Sequence, residues 1–299
     1  AGLVVVADWL ASDTSRFPFL HERRDLVRAA DVVTDWDLPA PWDAQNTPDD
    51  LSDHLTARFP ALVTSTIRKV QRAAVAEAKA SAGPTLIVIE AGMGTGKTEA
   101  ALLAAEVLAQ QRGCGGVVFA LPTQATSDGI LPRLIDWVEH LPGQGRTSVG
   151  LAHGRAAHNV DYQRISSRRV VDIGDSELPP DERAARPYVE STLTAAATAW
   201  LKGRRKSTLA NFVVCTIDQV LFLALQTRHV PLRHSAFAGK VVILDEVHAA
   251  DTYMQVYLER ALAWLGAHGS PVIMLSATLP PATRTRLVGA WCDGAGMPI

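Results

Sequence analysis

The segment Glu90-Ala91-Gly92-Met93-Gly94-Thr95-Gly96-Lys97-Thr98 constrains this chain more than any other. It follows the apolar run Leu86 to Ile89 and precedes a stretch of helix formers, Ala100 to Leu108. A strand that passes through a glycine-rich loop into a helix brings bare backbone N–H groups and a helix N-terminus to one point, which suits a phosphate. Gly92, Met93, Gly94, Thr95 and Gly96 would cradle phosphates, Lys97 would reach the β/γ-phosphates, and the Thr98 hydroxyl would ligate Mg²⁺. Ala91 stands where such loops usually carry their first glycine. The expected ligands are ATP and Mg²⁺.

Four further apolar runs follow: Val117 to Ala120, Phe212 to Cys215, Val241 to Leu244 and Val272 to Leu275. Strands apolar on both faces, alternating with amphipathic segments, predict an α/β domain with a mostly parallel sheet covered by helices on both faces. Ligands then belong at the carboxyl ends of the strands. Upstream, Val63, Ile67, Val70, Ala74 and Ala78 recur at helical spacing and predict a helix over 62–82. The stretch 153–210 is polar and charge-mixed, carries Pro179-Pro180 and the basic patch Lys202 to Lys206, and reads as an insertion, partly helical around Thr192 to Trp200. The patch is read either as a solvated face or as an extension of a nucleic-acid track.

Two of the strands end in chemistry. Val241-Val242-Ile243-Leu244 delivers Asp245-Glu246-Val247-His248. Adjacent carboxylates at a strand end suit a metal ligand, Asp245, beside a water-orienting or water-deprotonating group, Glu246. His248 is read as a bridge from this site to the next motif, against the plainer reading of a structural hydrogen-bonder. That motif is Ser276-Ala277-Thr278, whose hydroxyls can bond the carboxylate or the histidine and pass on the state of the γ-phosphate. Without its companions it would be an ordinary helix start before Pro280-Pro281.

Phosphate loop, Asp-Glu-Val-His and Ser-Ala-Thr in this order resemble the first RecA-like lobe of superfamily 2 DExH helicases. Thr216-Ile217-Asp218-Gln219, Leu232-Arg233 and Lys240 to Met254 narrow the resemblance to the CRISPR-associated helicase-nuclease of type I systems. It covers about residues 62–290 and continues weakly into Gly2 to Ser12, which resembles the end of that family's HD nuclease domain. The resemblance implies a RecA-like P-loop lobe over 61–299, preceded by a short helical segment and linker over 1–60. It also implies a motor that pulls single-stranded DNA 3′ to 5′ for an attached nuclease, fed by a crRNA-guided surveillance complex.

By the same resemblance Arg68 and Gln71 belong to an adenine-reading element; a Gln amide can pair with the N6/N7 edge of adenine. Pro122, Thr123 and Thr216 match positions that touch the nucleic-acid backbone. Cys215 replaces the glycine expected before Thr216. Asp8 matches a nuclease metal ligand, but the transition-metal chemistry of an HD centre needs several His and Asp ligands, and no His-Asp dipeptide occurs in the chain. Asp8 is therefore expected to be an inactive helix residue here.

Composition adds only bounds. A formal net charge of -2 gives no global field for a nucleic-acid partner, so any such surface must be local. Three scattered cysteines argue against a zinc site or a disulfide framework and suit the cytoplasm. The opening Ala1 to Ala7 is too short for a membrane span. No initiator Met is present, and the tail after Thr278 has room for only one helix, bearing Arg284 and Arg286 as surface residues. The chain therefore reads as a piece of a longer protein that lacks a second lobe. Other superfamily 2 motors acting on RNA or in restriction, and a non-enzymatic regulatory fragment, remain the competing readings.

Overall fold

The computed structural model describes residues 2–12, 40–45, 47–62, 66–142, 147–167, 195–196, 206–227 and 229–298. Seven strands, β1 (Leu86–Glu90), β2 (Val117–Leu121), β3 (Thr147–Ala152), β4 (Ala195–Ala196), β5 (Phe212–Thr216), β6 (Val241–Leu244) and β7 (Val272–Ser276), form one sheet in the order β1-β7-β6-β2-β5-β3-β4. Every pairing is parallel. The fold is the expected α/β one. All carboxyl ends therefore share one edge, and the register pairs Glu90 with Ser276, so the phosphate loop and the Ser-Ala-Thr motif leave the sheet side by side.

Within these continuous apolar strands a period of two persists, because successive side chains point to opposite faces. Val117, Phe119, Ile243, Ile273 and Leu275 face a layer containing α3 (Lys69–Ala80), α4 (Lys97–Arg112) and α5 (Gln124–Glu139). Val118, Ala120, Val242, Leu244 and Met274 face a second layer with α7 (Ile217–Leu221), α8 (Val230–Phe237), α9 (Thr252–Ala267) and α10 (Pro281–Ala295). Each face buries a full layer of aliphatic side chains, the main driving force for this architecture.

The N-terminal stretch is docked on this frame. Helix α1 (Gly2–Ala11) lies against α8, with the Trp9 ring 6.0 Å from that of His229. Trp42 enters the core between Trp137 and Phe212, at ring distances of 5.9 and 5.1 Å. Helix α2 (Leu51–Arg58) is pinned to α4 by a buried cluster. Arg58 Nη2 and His54 Nε2 lie 2.6 and 3.0 Å from the carboxylate of Glu106, which is fully buried.

Three expectations need correction. The helix expected over 62–82 begins only at Lys69, because Arg68 is extended and donates its backbone N–H to Gln71 Oε1 at 3.0 Å, stopping the helix there. Residues 63–65 lie outside the described set. Within the insertion, Ala195–Ala196 form a strand beside Thr147 and Ser148 where helix was expected. The remainder of that stretch from 168 to 205, with Lys202 to Arg205, lies outside the described residues, as do residues 13–39. Strand β3 was not foreseen, since Thr147, Ser148 and Gly150 dilute its apolar pattern. Short helix α6 (Val160–Ser167) follows it.

Candidate nucleotide site and strand-end surface

The phosphate loop has the geometry its residues suggested. Gly94 and Gly96 take positive φ of 69° and 86°, a region open to glycine at little cost. At Gly96 even the space is closed, since a Cβ would come 2.8 Å from Gln71 Nε2. Lys97 is buried and donates to the carbonyls of Ala91 and Gly92 at 2.6 and 3.2 Å. Thr95 Oγ1 donates to Gly92 O at 2.8 Å and closes the loop.

A cleft of about 280 Å³ opens above this loop. It brings together Arg68, Gln71, Met93, Gly94, Gly96, Lys97, Thr98, Asp245 and Glu246, nine of the residues singled out in the sequence. Gly92 and Thr95 belong to the same loop and are joined by the Thr95 hydrogen bond to the Gly92 carbonyl. Arg68 donates through Nη1 to Gly94 O, and Gln71 is buried, so the two residues brace the loop as well as facing the cleft. Leu55 and Leu62, from the docked N-terminal stretch, and the Glu99–Arg133 ion pair at 3.2 Å complete the walls. Thr66 lines it as well, and sequence reading missed all five, because nothing local announces that they converge.

Asp245 and Glu246 differ sharply in setting. Burial pushes the Asp245 carboxyl up to about 6; the Glu246 N–H bonded to it lowers it, the Glu246 charge raises it, and Lys97 and His248 pull it down. A carboxylate that burial disfavours in its charged form gains from a nearby divalent cation. Asp245, Thr98 and Glu246 present only oxygen donors, which fits Mg²⁺. Glu246 sits at φ 51°, a left-handed conformation uncommon for a non-glycine residue and concentrated at functional sites.

From Glu246 a chain of contacts leaves the cleft. Its Oε2 lies 3.2 Å from His248 Nε2, and His248 Nδ1 lies 3.1 Å from Ser276 Oγ. Ser276 Oγ also donates to the carbonyl of Thr278 at 2.8 Å. His248 thus touches Ser276, while Thr278 contributes its carbonyl rather than its hydroxyl.

A second concavity lies farther along the same edge, where β2, β3 and β5 end. Thr123, after Pro122, accepts the Thr126 N–H at 3.1 Å and caps α5. Thr216 precedes α7 and lines the concavity. Cys215, fully buried, keeps its carbonyl bonded to Ser127 Oγ at 3.2 Å, so the strand end is held without the expected glycine. His153, just past β3, bonds Asp128 Oδ1 at 3.0 Å, and Asn159 reaches the same oxygen at 2.6 Å. Sequence reading placed His153 at the start of the insertion and missed this cluster; its position at a strand end was the available signal.

The remaining expected residues lie apart. Asp8 is exposed on α1, and no three His, Cys, Asp or Glu side chains gather into a metal centre among the described residues. Arg284 pairs with Glu90 at 3.1 Å and Arg286 with Glu259 at 3.5 Å, so both are surface residues of this lobe. Among the described residues no helix is long and apolar enough to cross a membrane.

No protein-family model matches the chain. It is 35% identical, over 310 aligned residues, to the CRISPR-associated nuclease/helicase Cas3 of Streptococcus thermophilus, covering 99% of this chain and 31% of that protein. The crystal structure of T. fusca Cas3-ATP matches all of this chain and 31% of its own length, with 34% identity and a TM-score of 0.76. A chain from a CRISPR RNA-guided surveillance complex in a pre-nicking state matches at 28% identity and a TM-score of 0.58, covering all of this chain and 27% of that one. This chain thus spans under a third of the length of these proteins.

Proposed function

Because this chain is homologous to the Cas3 helicase-nucleases and has their RecA-like fold, we propose that it is the ATP-binding first lobe of a single-stranded DNA translocase in CRISPR antiviral defence. The observation that carries this reading is the single cleft in which Lys97, Thr98, Asp245 and Glu246 converge beside Gln71. In the proposal the backbone N–H groups of residues 92–98 and the Lys97 amine bind the phosphates of ATP. Arg68 and Gln71 face the adenine, with the Gln71 Nε2 available once Oε1 is committed to Arg68.

Thr98 and Asp245 would hold Mg²⁺, which when bound supplies positive charge against the β- and γ-phosphate oxygens. Glu246 orients the attacking water and accepts its proton, from a backbone held in the left-handed region. His248 and Ser276 then relay the state of Glu246 to the neighbouring strand end. Pro122, Thr123 and Thr216 touch the strand backbone without reading its sequence.

The lobe acts, in this proposal, within a longer helicase-nuclease that moves 3′ to 5′, receives DNA from a crRNA-guided surveillance complex and works in the cytoplasm. Domain limits of 1–60 for the nuclease tail and linker and 61–299 for the lobe go with it. Any nuclease metal at Asp8 would need His and Asp ligands from outside the described residues. Rapid turnover needs an arginine finger from a second lobe, worth about 10³ to 10⁵ in rate.

Steady-state ATPase assays with single-stranded DNA and with RNA, on this chain and on a polypeptide that adds a second lobe, test the proposal. Near-background turnover alone and DNA-stimulated turnover in the longer polypeptide support it. Preference for RNA would replace it with another helicase, and nucleotide binding without turnover in the longer polypeptide would make the lobe regulatory.

A further inference from the structure

We propose that the concavity where β2, β3 and β5 end takes an unstacked nucleobase of the single strand, an inference that rests on the nucleic-acid reading above. The cavity measures about 520 Å³, within the usual range for small-molecule sites. Its wall carries three aromatic rings, Phe222, Tyr253 and Tyr257, beside the strand-end residues Ala152 and Thr216 and the helix residues Asp218, Gln219 and Arg233. Tyr253 is 71% exposed, and large rings in water call for an explanation when they cluster. The two tyrosines, one helical turn apart on α9, meet at 4.9 Å between ring centroids, with their hydroxyls 2.9 Å apart. The hydroxyl contact ties the two rings to each other at the cavity wall.

Charge decides between the two parts of a nucleotide. Arg233 lies 4.5 Å above the Phe222 ring and donates to Gln219 Oε1 at 2.6 Å, so its cation is already engaged by a π-face and an amide. Asp218 lines the same cavity and opposes a phosphate. Aromatic faces edged by the Gln219 amide and the Asp218 carboxylate are instead groups that stack on a neutral heterocycle and bond its edge. Thr216 stands in the same wall, which sets the base beside a residue proposed to touch the strand backbone.

The location has a mechanical consequence. Helix α9 starts at Thr252, capped by Asp251, directly after the Glu246–His248 segment. A base stacked on Tyr253 and Tyr257 therefore presses on the first turns of the helix that follows the water-orienting carboxylate. Strand occupancy and the hydrolytic site are linked through a handful of residues.

The test is a mutant cycle read by fluorescence anisotropy. The chain, Tyr257→Leu and Tyr253→Leu are titrated with labelled oligothymidylate and with an abasic strand of equal length, with nucleotide binding as the folding control. Stacking losses predict that the unaltered chain binds oligothymidylate at least about 10-fold more tightly than the abasic strand. The Tyr257 variant should lose most of that difference while keeping its affinity for the abasic strand. Equal affinity of the unaltered chain for both strands, or undiminished discrimination in both variants, overturns the base pocket and leaves the nucleic-acid reading standing. Failure of the unaltered chain to bind either strand overturns that reading, and the pocket with it.

Discussion

His248 and Ser276 are 28 residues apart in the chain, yet Nδ1 of one lies 3.1 Å from Oγ of the other. The contact exists because β6 and β7 are neighbours in the sheet, pairing Leu244 with Met274, so that the two segments leave it together. It joins the carboxylate proposed to handle water to the last residue of the adjoining strand.

The first prediction concerns this link. In a polypeptide bearing both lobes, His248→Ala and Ser276→Ala should each leave MgATP affinity within about 2-fold and cut the DNA stimulation of ATPase by about 10-fold. Their double variant should show coupling, with an interaction energy of roughly 0.5 to 3 kcal/mol in the activation barrier. Strictly additive effects would remove the relay.

Lys97→Ala should weaken MgATP binding by about 10- to 100-fold, the loss of one hydrogen bond to a charged group. It also removes the amine that ties the carbonyls of Ala91 and Gly92 together. Titration with a fluorescent nucleotide measures it, and unchanged affinity in a folded variant would cancel the phosphate-loop assignment.

Glu246→Gln should keep nucleotide and lower hydrolysis in the two-lobed polypeptide by about 10²-fold or more, as expected on removing a general base. The amide keeps the size of the side chain and so isolates the chemistry. Rapid-quench measurement of a single turnover separates this loss from slow product release; an equally fast chemical step would transfer the role to another group.

Arg58→Met should destabilise the chain by roughly 3 to 5 kcal/mol, because it leaves Glu106 buried without its main partner. Burial pushes the Glu106 carboxyl up, but hydrogen bonds and charge from His54 and Arg58 outweigh it and hold it below its ordinary value. The sign follows: the stabilisation is complete above the ordinary glutamate pKa and is lost as acid takes the pH down through the folded value. Urea unfolding from neutral to acid pH should show that loss in the parent chain and much less of it in Arg58→Met.

Burial pushes the thiols of Cys114 and Cys215 up to about 11 and about 12, and Cys292 is buried as well. A thiol reagent at neutral pH should leave the native chain unmodified and label it after denaturation. Fast stoichiometric labelling of the native chain would contradict the packing around these strands.

Much of this site was legible before any coordinates. Glycine, lysine and threonine after an apolar run, and two carboxylates after another, are local consequences of covalent order: a strand end delivers whatever residues follow it. Residues Gly92 to Thr98, Asp245, Glu246, His248 and Ser276 could thus be named together, and five of the parallel strands with them. Strand β3 escaped because its polar positions are satisfied from far away. Ser148 bonds Asn211 Oδ1 at 2.7 Å, and Gly150 is required by a backbone oxygen of Ser207 that would lie 2.1 Å from a Cβ.

By itself the sequence determined the phosphate loop, the carboxylate pair and the alternation of buried strands with helices, since each is written in residues within a few positions of one another. Tertiary structure alone decided that Trp42 fills the core, that Arg58 answers Glu106, that Arg133 reaches the nucleotide cleft, and that Phe222, Arg233 and Tyr257 face one cavity. The physical reason is the strand order β1-β7-β6-β2-β5-β3-β4: parallel crossovers bring residues together across long stretches of chain, and local sequence carries no record of which strands become neighbours.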